Sequence, residues 1–292
     1  WTQYQAWMKA FENDIIIVNP LTSEPQTPAF VNAQWLALAR LHTWTGLPDW
    51  VVVQIFRIVT TIAFLVVTFW VSKRYFPGRR LAYWTAWLLI TFGAGGGWIW
   101  VLEKRISGEL KFPLDVYVVE QVTFQNATIY PHFLVGAGLI LVILLSFTYS
   151  VQTKRLIPAL IAALAGLLLG LTHAYDLVIV YGVLALLVPL MVLQGASIRT
   201  SIIHGAILLL FSAPPAGYFY YLTSADPLWT RILEQFADVG VYTPQLPHLL
   251  ILLGIPFALA IVGYNGFFPM AQHGALQLLM RAWLLVNIVL LY

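Results

Sequence analysis

The feature that most constrains this chain is a series of apolar runs long enough to cross a bilayer. Eight can be drawn, at roughly 49–72, 81–102, 131–152, 156–173, 174–194, 200–222, 247–266 and 276–292. A helix of about 20 apolar residues spans the hydrocarbon core of a membrane. The chain as a whole is 60% hydrophobic and only 9% charged, too few charges to cover a water-soluble domain of this length. The period-two alternation of a membrane β-barrel is absent. The sequence therefore predicts an all-α fold, a polytopic transmembrane bundle of about eight spans. With no Cys, disulfides and thiolate chemistry are excluded.

Threading these runs through a bilayer separates the charges. Lys73, Arg74, Arg79 and Arg80 follow the first run, Lys154 and Arg155 the third, and Arg199 the fifth, with no acid among them. Loops rich in Lys and Arg stay in the cytoplasm. The opposite loops are longer and of mixed charge: 1–48, 103–130, 223–246 and the tight turn His173–Asp176. All twelve acidic residues then face the non-cytoplasmic side. The working face is expected on the non-cytoplasmic side. The expected organisation is outer helices and a loop over 1–48, and one transmembrane domain over 49–292. The chain begins at Trp1 and ends within its last apolar run, so it is read as a piece of a longer protein.

The outer loops carry their own helical patterns. Trp1, Tyr4, Trp7, Met8 and Phe11 fall on one stripe, and Val31, Trp35, Leu38 and Leu41 repeat it. Asp226 reads as an N-cap with Pro227 at the first helical position. A stripe of Leu228, Trp229, Ile232, Leu233 and Phe236 follows. These predict short amphipathic helices lying at the membrane interface.

Few residues offer chemistry. His173-Ala-Tyr-Asp176 joins two spans, where a His and an Asp are costly unless they pair or face a cavity. It is a candidate for acid–base or phosphate-binding work, the alternative being a polar turn capped by Asp176. Glu120 to His132 is dense in hydrogen-bonding side chains. Glu120 is a candidate general base, and His132 a candidate phosphate contact or metal ligand. Glu24 stands between Ser23 and Pro25, and proline holds the residue before it extended, which suits a positioned carboxylate or a plain turn. Arg57, inside the first span, requires an anionic partner, either a carboxylate or a bound phosphate. Gly93-Ala-Gly-Gly-Gly-Trp98 is not a P-loop, since no Lys-Ser/Thr follows, and it reads as a site of close packing or local unwinding. His42 and His248 join His132 and His173 on the outer side, but no spacing among them marks a metal site. Asp49 reads as a cap, and Glu12 and Asp14 stay unassigned.

The order of an aromatic amphipathic helix, Asn19-Pro-Leu-Thr-Ser-Glu-Pro25, Gly95–Trp98, Glu120, Pro131-His132-Phe133 and Thr172-His-Ala-Tyr-Asp176 resembles bacterial polytopic proteins of the GT-C glycosyltransferase superfamily. The resemblance spans nearly the whole chain on short motifs. It implies transfer of a sugar from a polyprenyl-phosphate donor on the non-cytoplasmic side of a bacterial cytoplasmic membrane, with a divalent metal as a possible cofactor. The family's acidic motif after the first membrane helix would precede Trp1, and Glu12 and Asp14 do not form an Asp-Asp or Asp-Glu pair. On this reading Glu24 or Glu120 is the base, Arg57, His132 and His173 receive the phosphate, and Asp176 orients His173 or binds the metal. The expected partners are membrane lipid, the polyprenyl-phosphate donor and other membrane proteins, with no nucleic acid. Two alternatives stand beside it: a non-catalytic subunit of a larger membrane complex, and a lipid or sugar-lipid transporter.

Overall fold

The computed structural model describes residues 2–108, 122–238, 246–267 and 273–290. These are helical almost throughout. Among them there is no strand, only an isolated bridge between Ile17 and Phe30. In chain order the helices are α1 (Thr2–Ala10), α2 (Ala33–Thr45), α3 (Asp49–Tyr75), α4 (Arg80–Phe92) and α5 (Gly97–Ser107). They continue with α6 (Thr123–Thr128), α7 (Pro131–Thr153), α8 (Leu156–Thr172) and α9 (Leu177–Leu193). Last come α10 (Ile198–Ala225), α11 (Pro227–Asp238), α12 (Leu246–Val262) and α13 (Ala275–Leu290). A single 3₁₀ turn, Ala174–Asp176, links α8 to α9.

The all-α expectation holds, and each expected run is helical over most of its described length. Four segments are long and apolar enough to cross a membrane: Asp49–Tyr75, Pro131–Thr153, Ala174–Leu193 and Ile198–Ala225. α8, α12 and α13 are shorter apolar helices. The second expected span departs from a straight helix, because α4 and α5 meet at 49°. The aliphatic side chains of Ile58, Val59, Ile62 and Val66 on α3 are exposed, which fits an integral membrane protein, whose lipid-facing surface is apolar.

The chain forms two compact units. One comprises Trp1–Val59, Leu139–Tyr181 and Ser197–Val241, the other Thr60–Gly138, Gly182–Ala196 and Tyr242–Tyr292.

In the first unit the amphipathic helices build a small core of their own. Met8, Phe11, Trp35, Leu38 and Val52 are buried, together with Ile17 and Phe30 from the intervening loop. Trp1, the first member of the expected stripe, lies outside the described residues. Rings hold this layer together. Tyr4 stacks on Trp35 with centroids 4.8 Å apart, and Phe30 stacks on Trp229 of α11 at 5.2 Å. Asp226 caps α11 as its sequence position predicts. Its Oδ1 accepts from the backbone N–H groups of Leu228 and Trp229 at 2.9 and 3.2 Å. Asn32 Oδ1 does the same for Gln34 and Trp35, and α2 ends at Gly46 in the left-handed conformation. The loop between α1 and α2 is ordered by a reciprocal pair. Gln26 Nε2 donates to the Asn19 carbonyl, and Gln26 Oε1 accepts from the Asn19 N–H, both at 2.8 Å.

In the same unit α8 packs on α10 through small residues. Ala159, Ala162, Ala163, Gly166 and Gly170 are buried on α8. A Cβ on Gly166 would lie 2.8 Å from Leu208 Cδ1, and one on Gly170 would lie 2.6 Å from Pro215 Cγ. This is the close approach that small residues four apart permit in membrane helices. Ser212, fully buried at this interface, meets the Tyr181 hydroxyl at 2.8 Å.

In the second unit two broken helices interlock. α12 is kinked at Gly254, with φ 57° and ψ −150°. The Ile251 carbonyl, just before the kink, accepts from the Gly96 N–H at 2.7 Å, at the α4–α5 break. Backbone atoms of Gly95 and Gly96 come within 3.0 Å of where a Gly254 Cβ would stand. The glycine run thus serves both purposes the sequence allows, unwinding and close approach. Elsewhere in this unit Trp87 Nε1 donates to the Leu65 carbonyl at 3.0 Å, and Phe69 is packed among Tyr83, Trp84 and Trp87.

Candidate functional site

The polar turn His173–Asp176 is the best-defined candidate. α8 ends because His173 leaves helical geometry, while its N–H still donates to the Leu169 carbonyl at 2.7 Å. The Asp176 N–H then donates to the His173 carbonyl at 3.1 Å, closing the 3₁₀ turn. His173 is buried, Asp176 partly buried and Tyr175 exposed. His173 Nδ1 meets the Tyr175 hydroxyl at 2.8 Å. The partner fixing the imidazole on this side is therefore Tyr175, to which the sequence alone assigns no role.

The turn is anchored to α2. Asn32, which caps that helix through Oδ1, donates from Nδ2 to the Thr172 carbonyl at 3.2 Å. One side chain thus holds the last carbonyl of α8 and begins α2. Asn32 is buried, so leaving its amide unpaired would cost roughly 1–3 kcal/mol. The arrangement holds a buried imidazole against a phenol, with a carboxyl-bearing residue one position further on. Such a set can donate to an anion or relay a proton.

The other sequence-predicted residues are distributed as follows. Glu24 lies in the same unit and is exposed. Its Oε2 accepts from Arg231 Nη2 at 2.7 Å, both side chains open to solvent. Such an exposed pair contributes about 0–1 kcal/mol to stability. Arg57 also belongs to this unit, partly buried on α3. His132 belongs to the second unit, buried at the first turn of α7, its ring against Phe133 at 4.2 Å and Tyr130 at 5.9 Å. Glu120 lies outside the described residues, as do Glu109 and Asp115. The structure thus brings His173 and Asp176 into one turn and pairs Glu24 with Arg231 instead. Among the described residues neither His132 nor His173 belongs to a trio of metal-ligating side chains.

The second unit holds further polar groups. Arg281 is buried on α13, and its Nε and Nη1 have no hydrogen-bond partner among the described residues. His248 stands edge-on to Trp100 with centroids 4.0 Å apart, its Nε2 buried without a partner among those residues. A single Arg in the apolar run of α13 is the sequence signal that marks the first. Compared with protein-family models, with curated proteins and with solved structures, the chain matches none.

Proposed function

We propose that this chain is a membrane glycosyltransferase that moves a sugar from a polyprenyl-phosphate donor to an acceptor, working on the non-cytoplasmic face of a bacterial cytoplasmic membrane. The observation that carries this reading is the buried His173 imidazole, held by Tyr175 in the turn that ends at Asp176. It lies at the junction of two apolar helices and is tethered to the amphipathic layer by Asn32. A lipid-linked donor places its phosphate at that depth, between tail and water. With Nδ1 and the hydroxyl bonded to each other, the neutral pair keeps one proton for a departing phosphate, the imidazole Nε2–H or the phenol O–H, and removing such a donor typically costs several kcal/mol of transition-state stabilisation. The acceptor's proton requires a carboxylate, for which Asp176, Glu24 and Glu120 are the candidates.

The test is release of polyprenyl phosphate from a panel of polyprenyl-phosphate hexoses by the purified chain in lipid vesicles. His173→Gln and Asp176→Asn are each expected to slow release by about tenfold or more, roughly 1.4 kcal/mol in the barrier. Glu24→Gln and Glu120→Gln separate the two further base candidates. Release within about twofold of wild type in both His173→Gln and Asp176→Asn, a change too small to signal a lost transition-state contact, sinks the reading.

A second reading rests on Arg281. A buried guanidinium whose Nε and Nη1 find no partner among the described residues favours a membrane subunit whose counter-ion comes from a neighbouring protein. Co-purification of a stoichiometric partner that Arg281→Met abolishes would favour it over the enzyme.

A further inference from the structure

A second polar constellation lies apart from the His173 turn. Glu12 follows α1, His42 lies in the last turn of α2, and Asp49 lies in the first turn of α3. One donor atom from each stands within 4.8 Å of the other two, and all three residues are partly buried.

The hydrogen bonds decide where the imidazole proton is. His42 Nδ1 faces the Leu47 carbonyl at 2.7 Å and Asp49 Oδ1 at 3.0 Å. Both are acceptors, so Nδ1 carries the proton. In the neutral ring Nε2 then presents a lone pair, and it faces Glu12 Oε1 at 3.6 Å. That distance is too long for a hydrogen bond. A cation between Nε2 and Glu12 Oε1, whether a proton or a metal ion, draws the two together, and the distance between them separates the two cases. Two ligands each about 2.1 Å from a tetrahedral ion stand roughly 3.4 Å apart, close to the separation found. A histidine whose far N–H is held by a carbonyl or carboxylate is also the arrangement in which imidazole ligates metal.

The surrounding charge agrees. Arg40 Nη1 donates to the Glu12 backbone carbonyl at 2.6 Å, pinning that residue to α2. Its single positive charge is outweighed by the two carboxylates. One imidazole nitrogen and one carboxylate from the chain, with water completing the shell, suit a borderline ion such as Zn²⁺, whereas Mg²⁺ and Ca²⁺ prefer oxygen alone.

We propose that Glu12 and His42, supported by Asp49, form a divalent transition-metal site that fastens the ends of α1, α2 and α3 together. The site is independent of the glycosyltransferase reading. Its test uses the full chain in detergent, stripped with chelator and titrated with Zn²⁺, and with Co²⁺ as a spectroscopic probe. One saturable Zn²⁺ is expected, with a rise in the thermal midpoint as binding favours the folded state. Glu12→Gln and His42→Asn should each weaken binding by about tenfold or more, the loss typical of a ligand or its support. The asparagine amide can still donate to Leu47, so His42→Asn removes the ligand and keeps the local bond. Asp49→Asn, on the Nδ1 side, should weaken binding less. No saturable binding, or binding unchanged in both Glu12→Gln and His42→Asn, overturns the proposal. So does a chain whose thermal midpoint Zn²⁺ leaves unchanged.

Discussion

Gly254→Ala is expected to destabilise the protein by about 3–5 kcal/mol, an exceptional loss for one methyl group. Two effects combine. Gly254 sits at φ 57° and ψ −150°, a region essentially reserved for glycine and costing a side-chain-bearing residue about 1–3 kcal/mol. The new Cβ would also stand 3.0 Å from Gly95 Cα, Gly95 C and Gly96 N. These are backbone atoms in the break between α4 and α5 and cannot swing aside as a side-chain tip does. Relieving the clash means pulling the two broken helices apart and losing the bond from Gly96 N–H to the Ile251 carbonyl, worth about another 1 kcal/mol. Thermal or denaturant unfolding in detergent measures this. A loss below about 1 kcal/mol, within the ordinary range for point changes, would mean that the kink is not fixed by the contact.

Gly170→Val is expected to cost about 3 kcal/mol, at the upper end of overpacking. Here the obstacle is a ring. A Cβ at Gly170 would meet Pro215 Cγ at 2.6 Å and Pro215 Cβ at 3.1 Å, with Leu177 Cδ1 at 3.3 Å. Proline cannot rotate out of the way, so α8 and α10 must separate and give up dispersion along their shared face. Gly205 and Gly217 on α10 are the controls, because a Cβ at either meets nothing within 4 Å. Alanine at those positions should be neutral or stabilise by about 0.5–1 kcal/mol, the usual gain from removing glycine's freedom in a helix. Equal losses at Gly170, Gly205 and Gly217 would show that the interface is not the cause. Because Gly170 lies in the last turn of α8, just before His173, the valine variant should also perturb the polar turn.

The legible part of the sequence is periodic. The stripe of Tyr4, Trp7, Met8 and Phe11, the repeat of Trp35 and Leu38, and the cap at Asp226 each depend on neighbours within a turn or two. All three recur in the folded chain. Hydropathy locates each apolar helix because that signal is summed over about 20 residues. The break at Gly93 to Gly96 is harder to read, since a Gly-rich run permits a bend without requiring one. The kink that meets it, at Gly254, lies far along the chain in a different helix.

The site residues are legible as types and poorly legible as partners. Glu24 stands out through its proline neighbour, but Arg231 is 207 positions away, and nothing local announces the pair. Spacing among the histidines carries no ligand pattern, so it does not single out His42. The neighbours of that ring are Glu12, from before the loop, and Asp49, from beyond the end of its own helix. Tyr175 sits inside a motif whose ionisable ends draw the eye, and only the fold shows its hydroxyl turned back to His173.

Asn32 has a mechanical consequence. Its two amide ends do unlike things: the oxygen starts α2, and the nitrogen holds the final carbonyl of α8. An aspartate there keeps the first role and turns the second into repulsion. The helix that rides in the aromatic layer and the turn that bears the buried imidazole therefore share one bonded residue, so a tilt of α2 pulls on the carbonyl next to His173.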